Sequence, residues 1–133
     1  MIAHQPGRSQ VIIGALTGYD LVVVSTLDAA VSLIKEDGIK LFVIGVHFDE
    51  SRAIELVNEI RRERKHKSTP IVLLRQSSSR ITSLLRTTID SLKKVGTVSE
   101  YLEVENNPEP GKAIRDSISR LLRGNNINRS KKS

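Results

Sequence analysis

The sequence predicts an α/β domain, a parallel sheet with helices on both faces. Short aliphatic runs at residues 21–24 (LVVV), 41–44 (LFVI) and 71–74 (IVLL) alternate with stretches whose apolar residues recur at helical spacing. The runs are continuous, as strands covered on both faces require. Aromatic residues are only 3% and Cys is absent, so the core is built from Ile, Leu and Val and contains no disulfide or thiolate site. Strand–helix alternation of this kind implies parallel strands joined by right-handed crossovers.

Taken in order, residues 21–24 form the first clear strand. Ser25-Thr26 offers a helix N-cap, with Asp28 as the capping-box partner of Ser25. Leu27, Ala30, Val31 and Ile34 then lie on one helical face, and Gly38 stands where a C-cap belongs. The strand 41–44 ends at Gly45. Residues 51–64 read as a helix with Ala53, Ile54, Val57 and Ile60 inward. Pro70 opens the strand 71–74, a position that tolerates proline. Ser77-Ser78-Ser79 reads as loop and cap. The helix 80–95 puts Ile81, Leu84, Leu85, Ile89 and Leu92 on one stripe, and Gly96 ends it. Residues 98–104 are more polar and suit a sheet edge. A Pro-rich loop leads to a last helix, 112–123, with Ile114, Ile118, Leu121 and Leu122 inward and Gly124 as its cap. Residues 1–124 therefore form one domain. Residues 125–133 form a basic tail expected to be disordered.

The N-terminal part admits two readings. Residues 10–18 (QVIIGALTG) can be a helix with Val11, Ala15 and, less clearly, Ile12 and Leu16 inward. They can also be a strand forming a hairpin into 21–24, since Val11-Ile12-Ile13 and Gly14 weaken a helix.

From Gly14 onward the chain resembles the response-regulator receiver superfamily. Residues 15–25 (ALTGYDLVVVS) are similar to the end of a receiver's first helix, its Gly-Tyr turn and its second strand, a register that favours the helix over the hairpin for residues 10–18. LDAAVSLI (27–34), LFVI (41–44), TPIVLL (69–74) and EYL (100–102) are similar to the next elements in order. A narrower likeness joins STLDAA (25–30), PIVLLR (70–75) and VSEY (98–101), followed by ENN (105–107), to the N-terminal wing of ornithine, lysine and arginine decarboxylases. That wing serves oligomer assembly, and the pyridoxal domain that follows it in that family is not part of this sequence. The resemblance implies a flavodoxin-like sheet of order 2-1-3-4-5, with a first strand that is short or missing. At most Met1 to His4 can fill its central slot. If they do not, the exposed inner edges call for a strand from another chain, which makes a homo-oligomer or tight partner an expectation.

The resemblance also locates a site and empties it. Aspartyl phosphorylation needs a carboxylate nucleophile, more carboxylates to hold a divalent cation, and donors for the phosphoryl oxygens. The nucleophile's place at the end of the third strand is Gly45, which has no side chain. The hydroxyl's place falls on Arg75 and the lysine's on Val104 or Glu105. The acidic pair's place precedes the first helix, where the chain reads His4-Gln5-Pro6-Gly7. Asp49-Glu50 lie further on and suit a helix N-terminus. His47 has no second catalytic partner in the sequence. Arg75, a cation at a strand end, can bind an anion or imitate a phosphorylated state.

Net charge is +6 and is concentrated in two stretches. Residues 61–67 hold Arg61, Arg62, Arg64, Lys65 and Lys67 against one acid, and the tail adds Arg129, Lys131 and Lys132. Such a run reads as a solvated helix end, though it can attract an acidic partner. No recognition-helix signature accompanies it, which argues against nucleic acid. No apolar run is long enough to span a membrane, and the N-terminus has no signal-peptide pattern, so a cytoplasmic protein is expected. The expectation is a binding module without cofactor, metal or catalysis; the alternative that the narrower likeness implies is a stand-alone or truncated oligomerisation wing of such a decarboxylase. It would contact a protein partner, or itself, through the strand-end loops at Gly45, Asp49, Arg75 and Ser77, with the basic cluster as a second surface.

Overall fold

The computed structural model describes residues 1–3, 10–75, 82–104 and 107–132, with the side chains of 50, 51 and 124–132 excepted. Five strands, β1 (Ile2–Ala3), β2 (Val23–Val24), β3 (Phe42–Gly45), β4 (Ile71–Arg75) and β5 (Glu100–Glu103), form one parallel sheet of order β2-β1-β3-β4-β5. This is the flavodoxin-like order.

The central slot is filled from within the chain. Ile2 and Ala3 pair with Val23 and Val24 on one side and with Val43 and Ile44 on the other. The Ile2 amide donates to the Val22 carbonyl at 2.8 Å, and the Val43 amide donates to the Met1 carbonyl at 2.9 Å. β1 is short, as expected, and it removes the argument for a strand lent by another chain.

Successive strand residues point to opposite faces, and the two halves of the core divide accordingly. Ala3, Phe42, Ile44, Ile71 and Leu73 pack with α2 (Leu27–Leu33), α4 (Ala53–Arg62) and α5 (Ser83–Lys94). Ile2, Val43, Val72 and Leu74 pack with α1 (Gln10–Ala15) and α6 (Pro110–Lys132). Both faces of β3 and β4 are thereby buried, which is why those strands carry unbroken aliphatic runs.

Residues 10–15 are helical, so the hairpin reading is not realised. Ile12, Ala15 and Leu16 turn inward, whereas Val11, expected inside, is 40% exposed. The second strand is shorter than 21–24 and less covered: Val22 and Val23 are nearly half exposed, because β2 is the outermost strand. The cap of α2 is Thr26, not Ser25. Its hydroxyl accepts from the Ala29 amide at 3.2 Å. That helix ends at Ile34, and Gly38 (φ +95°) serves a later turn.

The helix expected over 51–64 is α4, trimmed at both ends: a short α3 (Phe48–Ser51), not expected, precedes it with Arg52 between the two, and a 3-10 turn at Arg64–His66 follows. Leu56, absent from the expected stripe, is fully buried, and Ile54 is only half-buried. α5 starts from Thr82, whose hydroxyl accepts from the Leu85 amide at 3.1 Å. Ile81 and the Ser77–Ser79 stretch lie outside the described residues. Leu84 points to solvent at 78% exposure, so the stripe of α5 reduces to Leu85, Ile89 and Leu92. Gly96, in the left-handed region at φ +86°, follows the last turn as expected. β5 lies at the edge. α6 runs on past Gly124 to Lys132, so the glycine does not cap it. The backbone of 125–132, read from the sequence as a disordered tail, continues the helix.

On the inner face of α6, Ser117 is 1% exposed and its hydroxyl meets no hydrogen-bond partner among the described residues. Leaving a buried hydroxyl unpaired costs on the order of 1–3 kcal/mol. Ser117→Ala should therefore raise stability by about 1 kcal/mol, read as a higher urea midpoint at unchanged m-value.

Candidate functional site

The C-terminal ends of parallel strands form the usual ligand crevice of such sheets. Three of the predicted site residues meet there. Gly45 is the last residue of β3, in register with Leu74; Arg75 is the last of β4, in register with Glu103. The Val104 amide donates to the Arg75 carbonyl at 3.0 Å, which carries the ladder one step past β5. Gly45, Val46 and Val104 are all buried, and none offers a polar side chain. The remaining positions, His4–Gly7, Ser77 and Glu105, lie outside the described residues.

Arg75 does not present a bare cation. Its side chain is 13% exposed, and Nη1 lies 3.5 Å from Glu103 Oε2. Glu103 gathers two more donors: Arg86 Nη2 at 2.9 Å and the Tyr101 hydroxyl at 2.8 Å, both on Oε1. The hydrogen bonds from Tyr101 and Arg86 hold the Glu103 carboxyl below its ordinary range. Burial, with the bond to Glu103, pushes the Tyr101 phenol up. This cluster ties β4, β5 and α5 together, and the sequence reading missed all of it except Arg75. Tyr101 and Glu103 are two apart on one strand and so share a face. That spacing was the available signal, but nothing in it identifies Arg86 as the partner.

Asp49 is built into the scaffold. It sits in the left-handed region at φ 43°, which Asp tolerates better than most residues. Its Oδ2 accepts from the Leu27 amide at 2.7 Å. It therefore caps α2, a helix 22 residues earlier, rather than the helix it belongs to. His47 precedes α3 without a side-chain cap.

The basic cluster divides. Arg61 points inward and donates to three backbone carbonyls: His66 and Thr69 at 2.7 Å each from Nη1, and Thr97 at 3.0 Å from Nε and 2.8 Å from Nη2. Its role is structural. Lys67 Nζ reaches the Arg61 carbonyl at 2.6 Å, and Lys65 Nζ reaches Asp37 at 3.0 Å. Arg62 pairs with Glu59 at 2.8 Å, and Arg64 is exposed. Of the five cations read as an interaction surface, only Arg62, Arg64, Lys65 and Lys67 face outward. Beside them His66 is buried, with Nδ1 2.9 Å from Thr69 Oγ1 and its ring edge-on to Phe42 at 5.0 Å.

Among the described residues, no group of three His, Cys, Asp or Glu could hold a metal ion, and no helix is long and apolar enough to cross a membrane. No family model matches the chain, and no curated protein matches it. Solved structures do. A phosphorylated cyanobacterial phytochrome response regulator, RcpA, superposes with a TM-score of 0.70 at 16% identity, over 91% of each chain. This is the receiver fold. The receiver domain of a Pseudomonas aeruginosa sensor histidine kinase, with magnesium in its active-site cleft, gives 0.66 at 15% identity, over 91% of this chain and 93% of that one. A signal receiver domain from Clostridium thermocellum gives 0.66 at 22% identity, over 91% and 92%. The sequence expectation of a receiver-like sheet is thus met by the fold.

Two outcomes follow for the Arg61–His66 region. Arg61→Lys keeps the charge but not the planar fork that spans three carbonyls. It should cost about 2 kcal/mol in denaturant unfolding, and a loss below a few tenths would refute the structural role. Burial pushes the His66 pKa below its ordinary value, so the unfolded chain takes up a proton first as pH falls. Stability should be full above the unfolded His pKa of about 6.5 and decline below it until His66 also protonates in the folded state. Unfolding curves of His66→Gln against the parent across this range should show a flatter pH profile for the variant.

Proposed function

We propose that this chain is a receiver-fold module that does not accept phosphate, and that it works by binding a protein partner. What carries the reading is the end of β3. Gly45 stands there with Val46 behind it, where receiver chemistry asks for a carboxylate. Supporting it, β4 ends on Arg75 and the residue after β5 is Val104, so the hydroxyl and the lysine of that chemistry have no counterpart either. A backbone hydrogen cannot attack phosphorus, and apolar side chains cannot steady a phosphoryl oxygen.

On this reading the crevice is held in one state. The Arg75–Glu103 pair, with Tyr101 and Arg86, stands where a phosphate-dependent rearrangement would otherwise act. The module then signals by its presence and by what it docks to, in the cytoplasm, with a protein or a second copy as its target rather than nucleic acid. It uses no cofactor and catalyses no reaction.

Acetyl phosphate with magnesium tests this directly. Intact-mass spectrometry should show no phosphorylated species. Gly45→Asp, which restores one carboxylate alone, should also remain unlabelled because Arg75 and Val104 are unchanged. Stoichiometric labelling of the parent chain on a carboxyl group would sink the proposal.

A further inference from the structure

A groove of about 580 Å³ runs between α2 and α4, away from the strand-end crevice. Leu27 and Val31 of α2 give it an apolar wall. Glu55, Glu59 and Arg62 line it from α4, and Asp28 from the first turn of α2. Glu55, Glu59 and Arg62 are spaced i, i+4, i+7, so they form one face of that helix. Arg62 is turned onto Glu59 at 2.8 Å, which leaves Asp28 and Glu55 as the acids of the groove without that neutralisation. The groove is thus net acidic on a chain whose overall charge is +6.

The same chain carries a segment of opposite character. From Ser117 to Ser133 there are five cations, Arg120, Arg123, Arg129, Lys131 and Lys132, and no acid. α6 continues as a helix to Lys132, while the last residue of it packed on the core among the described residues is Leu122. The ten residues beyond Leu122 extend about 15 Å at 1.5 Å per residue, the length of the ten-residue α4 that walls the groove. Gly124, Asn125, Asn126 and Asn128 are weak helix formers, so this extension gains little from intrinsic propensity and much from a surface to lie on. α6 packs with α1 on one face of the sheet, and α2 and α4 cover the other, so the groove it fits is that of another molecule.

We propose that the α2–α4 groove docks the basic C-terminal extension of α6 from a second copy of this chain. The apolar wall of Leu27 and Val31 receives the helix, and Asp28 and Glu55 meet its cations. This contact is independent of whether the strand-end crevice accepts phosphate. It predicts association that weakens with salt, since exposed charge pairs are screened.

The test uses a fluorescent peptide of residues 123–133, the extension beyond the packed part of α6, titrated into the full chain at low salt, with anisotropy as the readout. Binding is expected. Glu55→Lys should weaken it by about tenfold or more, and Arg62→Ala, which removes the groove's only cation among its lining residues, should tighten it. Both positions lie on the outer face of α4, and circular dichroism checks that each variant is folded. Sedimentation of the full chain should show self-association at low salt that Glu55→Lys abolishes. Absence of peptide binding, binding unchanged by Glu55→Lys, or a strict monomer at low salt would each overturn the proposal.

Discussion

The sheet depends on a two-residue strand. β1 contributes only Ile2 and Ala3, yet both of its edges are paired, and it separates β2 from β3. Without it the order of the sheet has no centre, and the inner edges of two hydrophobic strands lie open. Side-chain alternation makes those two residues serve both halves of the core. Ile2 packs beneath α1 and α6, and Ala3 beneath α2 and α4. A slip of one residue would exchange them, putting an isoleucine where an alanine fits. Burial on both sides is what holds so short a strand in register.

The opposite, N-terminal end of the sheet is organised by one guanidinium. Arg61 holds the carbonyls of His66, Thr69 and Thr97, and so gathers the exit of α4, the entry to β4 and the approach to β5. His66 fills the space next to it against Phe42. At the C-terminal end, Glu103 plays the corresponding part for Arg75, Arg86 and Tyr101. The domain is therefore clamped at both ends of β4 and β5 by charged groups with several partners each. Such networks fix geometry more than they add stability.

Much of this was legible in the amino-acid order. The strands at 41–44 and 71–74 could be read because both faces are covered, so their composition is unambiguous. The stripe of α6 was legible because its spacing is regular, and that of α4 was legible except at one step, where Leu56 rather than Ile54 turns fully inward. β1 was legible only as a slot open to Met1 to His4, because two residues carry no periodicity and are defined by neighbours distant in sequence. The short α3 was hidden for a similar reason: four residues are too few to show a helical period. The exposure of Val22 and Val23 follows from the position of β2 at the rim, which a run of valines does not disclose. The placement of Gly45, Arg75 and Val104 at strand ends came from the receiver resemblance, and the pairing of β3 with β4 and of β4 with β5 puts them there. Arg61 was misread because a cluster of cations looks the same whether one member faces in or all face out. Charge runs report composition, and only the fold says which member is turned toward backbone carbonyls.

The bond from the Leu27 amide to Asp49 crosses from the first turn of one helix to the short α3 that follows the exit from β3. It makes two distant pieces of backbone share a fate. If the β3 exit loop swings away, α2 loses its foremost acceptor; if α2 frays, Asp49 loses the compensation for its unusual twist. Local opening at these places is then a single cooperative event, and hydrogen exchange at Leu27 would keep time with that of the 46–49 stretch.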